Sequence, residues 1–384
     1  MKTPVLLLCV ALNSFGAERT YVVVGTGQTK CYDDRREIAP PKPGQPFYGQ
    51  DAQHPSPAPN YKDNGNGTVT DLNTGLVWVQ ARGTKATWDA AVAGAKTCRA
   101  GGYSDWRMPT IKELYSLINF MGGFDFHAGA ARSTPYLDTK FFGFKYGDES
   151  KGEREIDCQD WSATEYIRTT MNNNPTVFGV NFADGRIKGY PKITRGGAKQ
   201  LYVRYVRGNP LYGKNNFHDN NDGTITDRAT GLTWQKEDSG KGMNWEQALA
   251  YAANLKGGWR LPNAKELQSI VDYSRIPTIH PIFRSSTLSD GEHPFYWTST
   301  THLDGPLDRQ GVAAVYVCFG RALGWMSFPF GSGQPRLMDV HGAGAQRSDP
   351  KTGDPRDYPH GRGPQGDVIR IFNHVRLVRN ISGT

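Results

Sequence analysis

The stretch Asp63-Asn64-Gly65-Asn66-Gly67-Thr68-Val69-Thr70-Asp71, followed by Thr74-Gly75-Leu76-Val77-Trp78, decides the reading of this chain because it occurs twice. It returns as Asp219-Asn220-Asn221-Asp222-Gly223-Thr224-Ile225-Thr226-Asp227 and Thr230-Gly231-Leu232-Thr233-Trp234. Outward from it the correspondence holds. Trp88 answers Trp245, Trp106-Arg107-Met108-Pro109 answers Trp259-Arg260-Leu261-Pro262, and Glu113-Leu114 answers Glu266-Leu267. Later, Trp161-Ser162 meets Trp297-Thr298, and Val203-Arg204 and Val206-Arg207 meet Val375-Arg376 and Val378-Arg379. Every tryptophan except Trp325 has a partner, and large aromatics repeated this regularly are core.

Each copy has readable local signals. Two short alternating runs around Leu72-Asn73-Thr74-Gly75 predict a β-hairpin. Ala- and Leu-rich segments, 90–96 and 246–255, predict helices capped by Thr87 and Asn244. Thr110-Ile111-Lys112-Glu113 and Asn263-Ala264-Lys265-Glu266 are capping boxes that open a second helix in each copy. Short strands are expected at 177–182, 201–206, 313–319 and 368–378, separated by long loops. The fold class is α+β: two tandem domains, each a hairpin, two helices and an irregular antiparallel sheet. The boundaries read as a signal peptide over 1–17, a leader over 18–59, a first domain over 60–209 and a second over 210–384.

The apolar run Val5–Leu12 behind Lys2 has the form of a short secretory signal, and no later run is long enough to span a bilayer. Leu6-Leu7-Leu8-Cys9 is a poor lipid-attachment site because a bulky Leu precedes the cysteine. Without that segment four cysteines remain, Cys31, Cys98, Cys158 and Cys318, an even number that suits an oxidising compartment. None is matched between the copies, so their pairing, or their remaining free, stays open. The formal charge of +8 points to anionic partners. Outside the cytoplasm these are acidic polysaccharides and lipid surfaces rather than nucleic acid.

The ordered motifs Asp-Asn-Gly-x-Gly-Thr-Val-Thr-Asp, Thr-Gly-Leu-x-Trp, Trp-Arg-Met/Leu-Pro-x-x-x-Glu-Leu, Trp-Ser/Thr and Val-Arg resemble the bacterial Lcl C-terminal domain family over roughly 60–209 and 215–380. Gly27-Gln28, Cys31-Tyr32 and Phe47-Tyr48-Gly49-Gln50-Asp51 resemble the leader that often precedes such domains. The resemblance implies a fold related to C-type lectins and to formylglycine-generating enzymes. It also implies extracellular binding of sulfated glycosaminoglycans, as in the collagen-like adhesin that gives the family its name. Function transfers poorly across so adaptable a fold.

Candidate sites follow from residue chemistry. Arg186, Lys188, Lys192, Arg195 and Lys199 form a basic run without acidic residues, interleaved with Tyr190, and suit sulfate or carboxylate groups on sugars. Arg204 and Arg207, which have repeat counterparts, read as structural. The Gly- and Pro-rich excursion over 321–367 reads as a long contact loop offering Asp339, His341, Gln346 and Arg347. A metal site on Asp339, His341 and His360 is a weaker alternative. Asp219, Asn221, Asp222 and Asp227 are oxygen donors for Ca²⁺, although the EF-hand register fails and plain turn chemistry needs no ion. Ser299, His302 and Asp304 supply the letters of a triad but sit too close in sequence to act as one. Cys318 lacks the nearby cysteine that formylglycine generation would need. The reading is a secreted, periplasmic or surface-associated, non-catalytic binding protein that recognises anionic or sulfated glycans, with envelope proteins as further partners. The alternatives are an enzyme on the formylglycine-generating fold with unrecognised activity, and a structural envelope or fimbrial component.

Overall fold

The computed structural model describes residues 19–381 except 172, 307–308 and 328–331, so the expected signal peptide lies outside the described residues. In the first copy β1 (Tyr61–Asp63), β2 (Thr68–Asp71), β3 (Leu76–Val79), α1 (Trp88–Thr97) and α2 (Ile111–Ser116) precede β4 (Gln159–Thr170), β5 (Asn174–Asn181), β6 (Arg186–Pro191) and β7 (Val206–Gly208). The second copy runs β8 (Phe217–Asp219), β9 (Thr224–Asp227), β10 (Leu232–Gln235), α3 (Trp245–Ala253), α4 (Ala264–Ser269), β11 (Phe295–His302) and β12 (Ala313–Cys318). It continues with β13 (Leu323–Met326), β14 (Arg336–Asp339), β15 (Gln346–Pro350) and β16 (Val378–Asn380). The class is α+β, dominated by sheet.

The repeated motifs are repeated hydrogen-bond devices. Asn64 donates to Thr68 and Thr70, and Asn220 donates to Thr224 and Thr226, closing the two hairpins. In each capping box the glutamate also clamps the preceding arginine through two bonds: Arg107 to Glu113 at 2.7 and 2.6 Å, Arg260 to Glu266 at 2.6 Å each. The Trp-Arg-x-Pro-x-x-x-Glu motif is therefore a forked ion pair set on a helix start. Arg204 and Arg376 are fully buried and reach main-chain carbonyls of Val79, Gln80 and Gly143, and of Gln235, Lys236 and Arg284. Trp161 and Trp297 donate to the carbonyls of Ala86 and Met243.

The copies do not fold as separate beads. β1, β2, β3 and β7 make one four-stranded sheet and β8, β9, β10 and β16 its counterpart, but the remaining strands join across the copies in a six-stranded sheet ordered β11-β12-β15-β6-β5-β4. Its order is palindromic, with the first copy's β6 beside the second copy's β15 at Ile187 and Gln346. The helices follow the same quasi-twofold relation. Lys112 at the start of α2 donates to the carbonyl of Ser269 at the end of α4 (2.6 Å), and Lys265 of α4 donates to that of Ser116 in α2 (2.7 Å). One apolar core correspondingly mixes Phe178, Val180 and Ile187 with Ala264, Val315 and Ala343.

Two sequence expectations change. The segment 321–367 is not one excursion: it contains the β13–β14 hairpin and the central strand β15, with Val340, Ala343 and Ala345 in the core. The expected strands at 201–206 and 368–378 are reduced to short pairings, Gln200–Leu201 and β7 in the first copy and β16 in the second. The leader is ordered against both copies: Thr20 and Tyr21 donate to the Ala229 carbonyl, and Gln28 bridges Phe120 and Thr301.

Candidate functional site

Where β6 meets β15 the strands carry charged side chains inward. Arg186 pairs with Asp304 at 2.5 Å and with Asp184 at 3.3 Å, while Lys188 lies 3.3 Å from Asp184. His302 Nε2 meets the Asp184 carbonyl at 2.9 Å, and Asp367 holds both Arg347 and His341, the latter at 2.7 Å. Burial opposes charge on Asp184, but Lys188, Arg186 and Arg347 outweigh it and hold the carboxyl near about 2. Burial lowers Lys188 to about 8 and both His302 and His341 to about 4, which leaves the two imidazoles neutral at ordinary pH.

This geometry divides the residues proposed for ligand contact. Arg186, Lys188, Tyr190, Asp339, His341, Gln346 and Arg347 are inside the molecule. Tyr190 packs edge-on to Trp161, and Asp339 accepts bonds from the Tyr166 hydroxyl (2.7 Å) and the Gly342 N–H (2.8 Å). Arg186 and Arg347 are held by Asp304 and Asp367 from distant segments, whereas Lys188 pairs with the nearby Asp184 and Gln346 donates to the neighbouring Arg347 carbonyl. Lys192, Arg195 and Lys199 remain outside, on or beside the small hairpin that follows β6.

The proposed calcium donors have separate duties. Asp219 pairs with Lys236, and Asp222 accepts from the Thr224 N–H and hydroxyl. Asn221 adopts the left-handed turn conformation at φ 59°, and the fully buried Asp227 binds Asn215, Asn216, Ala229 and Thr230. Among the described residues no group of three or more His, Cys, Asp or Glu is placed to hold a metal ion, which also sets aside the Asp339, His341 and His360 set. Ser299 and His302 are buried, and His302 faces the Asp184 carbonyl. No nucleophile–base pair results. The four cysteines beyond residue 18 are free.

One cleft opens on the first copy and a larger one between the copies. The first, shallow and of about 420 Å³, is lined by Trp88, Val92, Lys96, Trp106, Arg107 and Met108. Beside it Lys192 Nζ stands 3.7 Å over the half-buried Trp88 ring and 2.8 Å from Glu165. The second copy has the same pair: Lys351, after Pro350 at the end of β15 as Lys192 is after Pro191 at the end of β6, lies 3.9 Å over Trp245. There, however, Trp245 is fully buried beneath Phe47 of the leader, and Lys351 donates to the Asp33 carbonyl and to Thr301. The aromatic–cation pair is thus covered in one copy and open in the other. Sequence comparison aligned the tryptophans but carried no sign of where the leader would lie. The second cleft, about 860 Å³, lies between the copies and is lined by Lys112, Thr164, Tyr212 and Asp272–Ser274 among others.

A family model for the Lcl C-terminal domain matches residues 67–207 and again 223–332, together more than half of the chain. No curated protein and no solved structure gives a significant match.

Proposed function

Because this chain belongs to the Lcl C-terminal domain family, with two tandem copies, we propose that it is a non-catalytic binding protein acting outside the cytoplasm, with a C-type-lectin-like fold in each copy, and that it recognises anionic or sulfated carbohydrate. The observation that carries the reading is the open Trp88–Lys192 pair beside a shallow cleft that Lys96 also lines. A tryptophan face suits the apolar face of a sugar ring, and flanking cations suit its sulfate or carboxylate groups. Cations already seated over an indole are also pre-organised, which lowers the entropy cost of binding. No helix among the described residues is long and apolar enough to cross a membrane.

Chromatography on immobilised heparin at about 0.1 M and about 1 M salt tests the proposal. Retention is expected at low salt, falling several-fold in the Lys192→Ala/Arg195→Ala variant and in Trp88→Ala. Retention indifferent to salt and to these substitutions would defeat it.

A further inference from the structure

The larger cleft has a quasi-symmetric mate that is already filled. On the second copy, the leader lies in a groove whose wall is Asn119–Met121 of the first copy. The Phe120 N–H donates to the Thr26 carbonyl (2.8 Å), and Gln28 Nε2 donates to the carbonyls of Phe120 (3.2 Å) and Thr301 (3.0 Å). Lys265 donates to the Gly25 carbonyl (3.0 Å). Asp51 Oδ2 accepts from the hydroxyls of Thr300 (2.5 Å) and Thr26 (2.7 Å). An extended chain and one carboxylate therefore fill this groove.

Counting from the matched Glu113 and Glu266, the residues equivalent to this wall are Asp272–Ser274, and the counterparts of Thr300 and Lys265 are Thr164 and Lys112. All of these line the open cleft. Lys112 donates to the Gly213 carbonyl (3.0 Å) just as Lys265 does to that of Gly25, so the linker between the copies begins as the leader does. It then runs through Lys214–Asn216 directly into β8 and has no counterpart of residues 26–57. Thr164 accepts from the Ile111 N–H (3.0 Å) as Thr300 accepts from the Ala264 N–H (3.0 Å), but no carboxylate stands where Asp51 would be. Lys112, Lys214, His280 and Asp272 line the cleft, while Glu113 is neutralised by Arg107.

We propose that this cleft docks an extended polypeptide segment of a partner protein, held as the leader is held in the mate groove: its main chain along Asp272–Ser274 and one carboxylate on Thr164. The site adjoins the Trp88 cleft, with Arg107 and Met108 lining both, but Lys192 and Arg195 are not among its lining residues.

The probe is a fluorescein-labelled synthetic peptide of this chain's own residues 24–57, with Cys31→Ser, titrated into the full chain by fluorescence anisotropy. Saturable one-to-one binding is expected, weakened at least about fivefold, or about 1 kcal/mol, by Asp51→Asn in the peptide. The same loss is expected from Thr164→Val or from Ser274→Trp, a substitution of an exposed residue at the mouth of the cleft that leaves the core untouched. Lys192→Ala/Arg195→Ala is expected to bind the peptide normally, which keeps this test independent of the heparin result. Absence of saturable binding, or binding insensitive to both Thr164→Val and Ser274→Trp, would overturn the proposal.

Discussion

Replacing Arg186 by Ala separates two roles that the sequence could not. A surface contact would lose ligand affinity and keep its stability; the structure places Arg186 between Asp304 and Asp184, with only 13% of its side chain exposed. Asp304 also accepts bonds from the Phe124 N–H and the Tyr136 hydroxyl, so it stays in place when the cation is removed. Breaking a buried pair by deleting one partner costs about 3–5 kcal/mol, because the other charge is left desolvated. At about 2.1 cal/mol/K per residue, a body of this length unfolds with an entropy of roughly 0.8 kcal/mol/K, so a loss of about 4 kcal/mol lowers Tm by about 5 °C. Were the copies to melt separately, half the entropy would apply and the affected copy would fall by about 10 °C, leaving the other near its original Tm. Differential scanning calorimetry of wild type and Arg186→Ala distinguishes these outcomes. The expected result is one transition moved by about 5 °C, with heparin retention preserved at temperatures well below it. A variant that melts with the wild type, or a trace that splits into two transitions, would refute the account of a charge-sealed, single cooperative body.

Two further outcomes follow from burial. Cys31, Cys158 and Cys318 are buried, and desolvation raises all three thiols, Cys158 to about 12. Of the four described cysteines only the half-exposed Cys98 is expected to react quickly with a thiol reagent under native conditions, and fast labelling of several by mass spectrometry would contradict the packing. Lys265 is lowered by burial to about 7, against about 10.4 for a free lysine, so between about pH 7 and 10 the folded state binds fewer protons than the unfolded one and stability rises with pH. Urea unfolding across that window is expected to show a shallower rise for Lys265→Met than for wild type, and parallel curves would remove Lys265 as a contributor.

What the sequence disclosed was local. The hairpins, caps and tryptophan positions depend on bonds spanning a few residues or on a repeated apolar pattern, and both are written in one stretch of chain. The meeting of β6 with β15 is not, since a basic run looks the same whether it faces water or Asp184 and Asp304. The segment around Gly342 and Gly344 was read as a contact loop because glycines signal turns. Both do have positive φ, 81° and 100°, but a Cβ on Gly344 would sit 2.5 Å from the Tyr273 ring and one on Gly342 would sit 3.1 Å from Phe178. Gly342 thus permits close packing between the copies and Gly344 close packing within the second, uses of glycine that only the fold exposes. The same limit applied to the leader. Its residues were quoted as a motif, yet nothing local showed that it would cover Trp245 and leave Trp88 open.

The join between the copies also bears on why so much charge is buried there. An unpaired β6 or β15 would present an edge open to wrong partners, and each strand closes the other. Their main-chain register is nevertheless secured at only one ladder pair, Ile187 with Gln346, and by the bond from the Gly189 N–H to the His341 carbonyl (2.8 Å) beside it. A contact that short tolerates slippage, and a slip of one residue would turn every side chain to the opposite face. Arg186 with Asp304 joins the two copies and is satisfied in one register only, whereas Lys188 with Asp184 lies within the first copy and Arg347 with Asp367 within the second. Buried ion pairs are poor sources of net stability, since desolvation offsets much of their attraction, but leaving them unpaired is expensive. The contribution of Arg186–Asp304 at this seam is selection: it penalises alignments of the two copies other than the one that gives the leader its groove on one side and leaves the matching cleft open on the other.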